Sequence, residues 1–277
     1  MNSNKLSFTN KTPSSLRKFL KYFRVSSLSD IQVMHSVNNK KKLKEFLQSD
    51  MHIAEGDIVL GARNIPVMHH PYHKSAIDLT FFKWIDAILE NPAKGVKLDI
   101  KGEGAAKYSL EYLRKTLTSD QEHRIIINSD ILRGPSGKPP TYSTDFFASV
   151  REDFPKVILS MGFTTEHRPG QKIQYTARMI KDILKVANSL TPPITICFRG
   201  EHFLDTKKEV VEKILKDPEI TFTFFSSRYS WPGKKEWPRI FTEQYGNRAL
   251  IEITDRNTNL IIYDKSNHQM NKTKKSE

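Results

Sequence analysis

The sequence predicts an α/β protein that folds as a single (β/α)8 TIM-type barrel of parallel strands, with its active site at the C-terminal ends of those strands. Eight strand-like runs are nearly continuous in apolar residues, which is typical of parallel strands buried on both faces. Helical patterns separate most of these runs, and a chain of 277 residues suits one such barrel. A doubly wound open sheet is the alternative, but no glycine-rich phosphate loop follows the first strand.

The predicted elements alternate along the chain. The strand-like runs are IQVMH (31–35), MHIAEGDIVL (51–60), GVKLDI (95–100), RIIIN (124–128), KVILS (156–160), ITICF (194–198), ITFTFF (220–225) and ALIEIT (249–254), with LIIY (260–263) as a further run. Apolar residues recur at helical spacing over 79–89, 173–184 and 203–214, and less regularly over 40–47, 105–117 and 142–150.

The chain ends are predicted to be disordered tails, residues 1–13 and 266–277, around one domain of residues 14–265. Ser14 and Ser15 are candidate caps of a short basic helix whose apolar stripe is Leu16, Phe19, Leu20 and Phe23. Such a helix either packs its stripe on the domain or lies on a membrane surface. The spacing favours the first interpretation without excluding the second.

Composition restricts the partners and the compartment. The net charge is +13, and residues 1–50 contribute ten Lys or Arg against three Asp or Glu. This field favours anionic partners such as phosphate esters, anionic lipid or membrane surfaces, or nucleic acid, and the charge alone does not choose among them; the alternative is a solvated basic surface without a partner. Nucleic acid ranks last, because residues 1–50 carry no nucleic-acid motif. A single cysteine, Cys197, and no apolar signal or membrane-spanning stretch predict a cytoplasmic protein.

Ionisable residues collect where the early strands end. Glu55 and Asp57 are two residues apart, so on a strand they share one face, and Lys97, Asp99 and Lys101 share a face by the same rule. Three carboxylates favour a hard divalent cation such as Mg²⁺ or Ca²⁺. Two histidines, His35 and His70, would then serve as general acid and base. The alternatives are buried ion pairs at the barrel mouth, or a zinc site in the HHxxH group formed by His69, His70 and His73.

Further candidates lie at or beyond later strand ends. Arg199 is a candidate contact for a substrate phosphate, alongside Lys101, or a structural ion-pair partner. The segment 226–237 could supply an aromatic lip to the pocket, or a surface loop. The candidate pocket residues are Lys97, Asn128, Asp130, Ser160 and Trp231.

The ordered set of motifs resembles a known family. The order H-(x)19-E-x-D, then P-V-x-x-H, then an apolar strand ending D-x-K is similar to the phospholipase-C-like phosphodiesterase barrels, which include the glycerophosphodiester phosphodiesterases and sphingomyelinase D-type enzymes. The segments MHSVNNKKKL, AEGDIVL, PVMHHP, GVKLDIK, INSDILRGP and LSMGFTT resemble more closely the menorin-domain family of that superfamily. The resemblance runs from about residue 22 to residue 263.

The resemblance implies a function and roles for individual residues. It implies a phosphoric diester hydrolase that acts on a glycerophosphodiester or lysophospholipid-like substrate. Glu55, Asp57 and Asp99 match the metal ligands, His35 and His70 match the acid–base pair, and Lys101 matches the lysine after the third ligand.

The sequence departs from the glycerophosphodiesterase pattern at three positions, and the menorin family shares these departures. Ser36 and Val37 replace the arginine and glycine that follow the first histidine, and Pro71 replaces the acidic residue after the second. The alternative function is therefore a catalytically weak or inactive barrel that binds a phosphate ligand or a protein.

Overall fold

Eight parallel strands form the centre of the molecule. The computed structural model describes residues 12–72, 74–135, 137–166, 172–226 and 237–253. Within these ranges the strands are β1 (Val33–Met34), β2 (Ile53–Leu60), β3 (Pro66–Met68), β4 (Gly95–Ile100), β5 (Ile125–Arg133), β6 (Ile158–Thr164), β7 (Ile194–Arg199), β8 (Ile220–Ser226) and β9 (Ala249–Ile253).

The parallel strands follow one another in chain order, β1-β2-β4-β5-β6-β7-β8-β9, and β9 lies beside β1. The sheet therefore curves into a nearly closed barrel, which confirms the predicted fold class. Strand β3 was not predicted: it is three residues long and pairs with the end of β2 in the antiparallel direction. The predicted run 260–263 lies outside the described residues, as do the predicted tails apart from Thr12 and Pro13.

Helices connect the strands on the outside of the barrel. They are α1 (Arg17–Phe23), α2 (Lys40–Gln48), α3 (Phe81–Leu89), α4 (Glu103–Thr116), α5 (Phe146–Asp153), α6 (Ala177–Ala187), α7 (Gly200–Leu204), α8 (Lys208–Leu215) and α9 (Trp237–Tyr245). Threonine or asparagine caps begin several of them; the Asn39 side chain, for example, accepts a hydrogen bond from the Lys42 amide at 2.9 Å.

One helical pattern is interrupted in the structure. The apolar spacing over 203–214 predicts a continuous helix, but α7 ends at Leu204 and α8 begins at Lys208. The Thr206 hydroxyl donates to the His202 carbonyl and accepts a hydrogen bond from the Tyr175 amide at 3.0 Å. These contacts hold a turn where the apolar spacing alone favours a helix.

The N-terminal helix closes the bottom of the barrel. The stripe of α1, which includes Phe19, Leu20 and Phe23, is buried against residues at the N-terminal ends of the strands, among them Ile53 and Ile126. The stripe therefore packs on the domain, as the first interpretation predicts, and these side chains are not available to lipid. None of the helices within the described ranges is both long and apolar enough to cross a bilayer.

Candidate metal centre and active site

The three predicted carboxylates converge at the C-terminal half of neighbouring strands. Parallel pairing of β2 with β4 sets Asp57 beside Asp99 and Glu55 beside Lys97. Glu55, Asp57 and Asp99 each offer one oxygen, and these oxygens lie within 4.8 Å of one another. The alternation of side chains along a strand explains the cluster, since residues two apart face the same side.

His35 follows β1 and lies against the first of these carboxylates. Its Nδ1 is 3.0 Å from Glu55 Oε2, and the Ser36 amide donates to the same oxygen at 2.7 Å. Burial opposes ionisation of Glu55, but the His35 charge and these hydrogen bonds lower the pKa of Glu55 to about 2. Burial likewise opposes the charge on His35, but Glu55 raises the pKa of the imidazole. Each member of this pair therefore favours the charged form of the other.

Asp57 is fixed by a side chain that the sequence analysis did not single out. Asn38 Nδ2 donates to Asp57 Oδ2 at 2.7 Å, and the Asp57 amide donates to Asn38 Oδ1 at 2.9 Å. The sequence feature that could have indicated Asn38 is its position three residues after His35 in the segment MHSVNNKKKL. This two-point contact orients the carboxylate toward the cluster.

Lys101 lies beside the other two members of the cluster. Its Nζ donates to Asp99 Oδ2 at 2.6 Å and is 3.4 Å from Asp57 Oδ1. Burial opposes the charge on Lys101, but Asp99 and Asp57 raise its pKa well above the usual range. The Lys101 side chain is 27% exposed, so it is not sealed inside the barrel.

A buried ion pair lies beside this cluster. Lys97 Nζ is 2.6 Å from Glu252 Oε1, and the two side chains are only 3% and 1% exposed. Glu252 Oε2 is also 3.9 Å from His35 Nδ1. Lys97, a candidate pocket residue, thus makes an internal ion pair. The sequence analysis did not identify Glu252 as a site residue. The feature that could have indicated it is a carboxylate inside the apolar run ALIEIT.

The second histidine reaches the site from the loop after β3. The His69 amide donates to the Asp57 carbonyl at 2.9 Å, which anchors the start of this loop at the carboxylate cluster. His70 is half-buried and accepts a hydrogen bond from the Tyr72 amide at 3.3 Å. Burial and Glu55 raise the pKa of Asp57, whereas Lys101 and His70 oppose that rise. His70 therefore acts electrostatically on the same cluster.

The HHxxH zinc interpretation gains no support from the described residues. His69 Nε2 lies 3.1 Å from the Ser75 carbonyl and so contacts its own loop, and His73 is outside the described ranges. The metal-compatible group of three or more ligands found in those ranges is the carboxylate cluster alone.

The remaining candidates extend the site toward β5, β6 and β7. Ser160 Oγ donates to Asn128 Oδ1 at 2.7 Å, and both side chains are buried; Asn128 lies beside Asp99 of β4, and Ser160 lies one strand farther along the sheet. Burial raises the pKa of Asp130 to about 7, against the opposing charge of Lys101. Arg199 Nε donates to Thr165 Oγ1 at 3.0 Å. Trp231 lies outside the described residues.

The site combines buried carboxylates with several basic groups. Lys97 is paired with Glu252, Lys101 with Asp99 and Asp57, and His35 lies against Glu55. The oxygens of Glu55, Asp57 and Asp99 still converge within 4.8 Å of one another. Such all-oxygen donors match the ligand preference of Mg²⁺ or Ca²⁺. The residues present therefore fit a hard divalent cation.

Comparison with known proteins relates this barrel to relatives in sequence and in structure. Human protein FAM151B is 26% identical over 243 residues, which cover 85% of this chain and 82% of that protein. A protein assigned as a glycerophosphoryl diester phosphodiesterase from Silicibacter pomeroyi DSS-3 matches with a TM-score of 0.50 and 12% identity, over 84% of this chain and 93% of that one. A glycerophosphodiester phosphodiesterase from Parabacteroides distasonis ATCC 8503 matches with a TM-score of 0.46 and 12% identity, over 81% and 92%.

These likenesses carry different information. At 12% identity, the Silicibacter pomeroyi structure shows a shared barrel fold. The family model of the Menorin N-terminal domain matches residues 27–235, which is most of the chain and includes every residue of the carboxylate cluster. The chain belongs to the Menorin N-terminal domain family.

Proposed function

We propose that this barrel is a divalent-metal-dependent phosphodiesterase. The observation that carries the proposal is the convergence of Glu55, Asp57 and Asp99, whose oxygens lie within 4.8 Å of one another at the strand ends. Histidines stand beside this cluster, and Lys101 contacts two of its members.

The proposed cation is Mg²⁺ or Ca²⁺, held by Glu55, Asp57 and Asp99. When bound, such an ion polarises a phosphoryl oxygen and offsets negative charge that develops during the reaction. Burial and Glu55 raise the pKa of Asp57, so the protein alone does not fully stabilise the ionised cluster. A cation would remove that cost, which is why binding should increase stability.

The chain's own residues would divide the remaining work. Lys101 holds the substrate phosphate as a point charge, and Arg199 is the second candidate for that contact. One histidine of the pair His35 and His70 accepts the proton of the attacking hydroxyl or water, and the other protonates the leaving oxygen. Glu55 Oε2 accepts a hydrogen bond from the Ser36 amide and lies 3.0 Å from His35 Nδ1, so Glu55 positions the imidazole and leaves its Nε2 for proton transfer.

The proposed substrate is a glycerophosphodiester or a lysophospholipid-like compound. The basic net charge of +13 favours anionic substrates, and the Silicibacter pomeroyi protein of the same fold carries glycerophosphoryl diesters in its name. A phosphodiester small molecule is accordingly the first class to screen.

The first test is thermal unfolding with Mg²⁺, with Ca²⁺ and with EDTA. A cation at about one hundred times its Kd should add about 2.7 kcal/mol to the free energy of unfolding, or about 5 °C to the Tm. Glu55→Gln should abolish this shift. Glu111→Gln, a control that removes an exposed carboxylate on α4, should retain it.

The same variants then test turnover of glycerophosphodiesters. No metal response in the wild type, or an equal response in Glu55→Gln, would refute the metal-dependent enzyme. The internal pairing of Lys101 with Asp99 and Asp57 favours one second candidate, a barrel that binds a phosphate ligand or a protein without turnover. That candidate predicts stabilisation by glycerophosphate with no product.

A further inference from the structure

Exposed apolar side chains are concentrated in one segment of the described chain. Among the described residues, the large apolar side chains classed as exposed are Leu60, Ile65, Tyr72 and Ile77, at 41%, 37%, 79% and 51%. All four fall within 18 consecutive positions, 60–77, although the described ranges extend from 12 to 253. Single exposed apolar residues are ordinary, but a concentration in one segment indicates a binding surface.

This segment stands above the mouth of the barrel. Strand β2 runs past Asp57 to Leu60, and β3 returns antiparallel to it, so the hairpin projects beyond the carboxylate cluster. The loop that follows begins with the His69 amide on the Asp57 carbonyl and carries His70. The exposed apolar side chains are therefore at the entrance of the candidate site, on the same side as its second histidine.

Hydrogen bonds join described residues of this loop to one another. The Met68 amide donates to the Leu79 carbonyl at 3.0 Å, so the two ends of the loop are tied together. His69 Nε2 lies 3.1 Å from the Ser75 carbonyl, which braces the loop from within. Tyr72 and Ile77 are exposed residues of this loop, on either side of these contacts.

Cations flank these apolar residues. Arg63 at the hairpin tip and Lys74 in the loop are exposed, and the segment 60–77 contains no acidic residue; Asp78 follows it directly. The Lys40 amide donates to Asp78 Oδ1 at 3.2 Å, which partly engages that carboxylate. Apolar and aromatic side chains beside Lys and Arg are the combination that suits an anionic bilayer surface, where the apolar groups enter the interface and the cations meet phosphates.

We propose that this rim, defined as Leu60, Arg63, Ile65, Tyr72, Lys74 and Ile77, docks the barrel mouth onto an anionic phospholipid surface. A docked mouth would receive a phospholipid or lysophospholipid with its headgroup phosphate leading toward Lys101. The docking itself is independent of catalysis; the choice of a membrane lipid as substrate rests on the proposed function.

The basic face of α1 is the competing membrane contact. Arg17, Lys18, Lys21 and Arg24 are exposed there, but that face lies at the opposite, N-terminal end of the barrel. The apolar residues of α1 are buried, so this face offers charge without apolar side chains. If this face made the contact, the mouth would point away from the lipid.

The test is co-sedimentation of the full chain with vesicles. All proteins carry Glu55→Gln and the buffer contains EDTA, so that no lipid is cleaved. The vesicles are phosphatidylcholine alone, or equal parts of phosphatidylcholine and phosphatidylserine. Tyr72→Ser should weaken binding about tenfold, and the triple change Ile65→Ser, Tyr72→Ser and Ile77→Ser about a hundredfold or more. These side chains are exposed, so an unchanged Tm is expected.

Matched charge variants identify the face that binds. Arg63→Ser with Lys74→Ser should remove the preference for phosphatidylserine, and Lys18→Ser with Lys21→Ser, which removes the same charge from α1, should leave it intact. The opposite pattern would overturn the proposal, as would equal binding by the wild type and the triple variant or no binding to either vesicle. A wild-type dimer that dissociates in the triple variant, without vesicle binding, would instead make the rim a contact between copies of the chain.

These outcomes are separable from those of the proposed function. Vesicle binding in EDTA with Glu55→Gln needs neither metal nor turnover. A metal response without vesicle binding would refute only the proposal that the rim docks on a membrane. Vesicle binding without a metal response would refute only the proposal that the barrel is a metal-dependent phosphodiesterase.

Discussion

The buried ion pair of Lys97 and Glu252 should behave as a unit. Glu252→Leu leaves the Lys97 ammonium buried without its partner at 2.6 Å. Removal of one member of a buried pair costs about 3–5 kcal/mol. The nearby carboxylates Glu55 and Asp99 also favour the charge on Lys97, so a loss near about 3 kcal/mol of unfolding free energy is expected.

The double variant Lys97→Met with Glu252→Leu separates pairing from packing. Apolar side chains of similar length replace both charges, so the desolvation cost disappears together with the attraction. Its stability should lie within about 1 kcal/mol of the wild type, because buried pairs are often replaced by apolar residues without loss. The difference between the double variant and the sum of the two single variants is the coupling free energy, expected at about 3 kcal/mol or more.

Urea unfolding in EDTA at neutral pH measures all four proteins of this cycle. The reasoning would be refuted by a double variant as unstable as the sum of the single variants, because the two residues would then act independently. A Glu252→Leu loss below about 1 kcal/mol would also contradict it, since the ammonium group would not need its partner.

Two further changes test other parts of the fold. Burial raises the pKa of Asp130 to about 7, so the folded protein holds this proton more tightly than the unfolded chain does. Ionisation of Asp130 therefore lowers the stability of the fold progressively as the pH rises from the ordinary pKa of an aspartate toward 7. Asp130→Asn removes this cost, so the stability of the variant relative to the wild type should increase by about 2 kcal/mol between about pH 5 and about pH 8. Urea unfolding of both proteins at the two pH values measures this change. A stability difference that does not depend on pH would contradict the prediction. A Cβ at Gly95 would lie 2.6 Å from the Arg124 carbonyl oxygen and 2.7 Å from Phe23 Cζ, so Gly95→Ala should cost about 2 kcal/mol. The control Gly246→Ala, whose Cβ would come no closer than 3.2 Å to a side-chain hydroxyl, should cost less than about 1 kcal/mol in the same assay, and equal losses would show that backbone contact at Gly95 is not the cause.

The carboxylate cluster could be predicted because its geometry follows from local rules. Glu55 and Asp57 are on one strand with two-residue spacing, and Asp99 is on the next parallel strand in the sheet. Period-two alternation and parallel pairing are enough to bring such residues together. The same rules produced the strand set and hence the barrel.

Residues whose partners are distant in sequence could not be found in this way. Glu252 meets Lys97 across 155 positions of sequence, and nothing in the run ALIEIT indicates which strand it faces. Asn38 belongs to the segment after β1, where no periodicity applies. Strand β3 has three residues, too few for an apolar pattern to emerge, and its pairing depends on the turn after Leu60.

The two ends of the barrel differ in the side chains that they bury: apolar residues at the N-terminal end and carboxylates at the C-terminal end. At the N-terminal end, Ile53 lies in an apolar cluster with Phe19 and Phe23 of α1, where burial stabilises the fold. Asp57 is four residues farther along the same strand, about 13 Å away, where burial and the neighbouring Glu55 raise its pKa and so destabilise its ionised form. Apolar burial at one end therefore offsets the cost of the buried charge at the other. A barrel built in this way can keep buried carboxylates at its mouth, because the stability it needs is supplied elsewhere on the same strands.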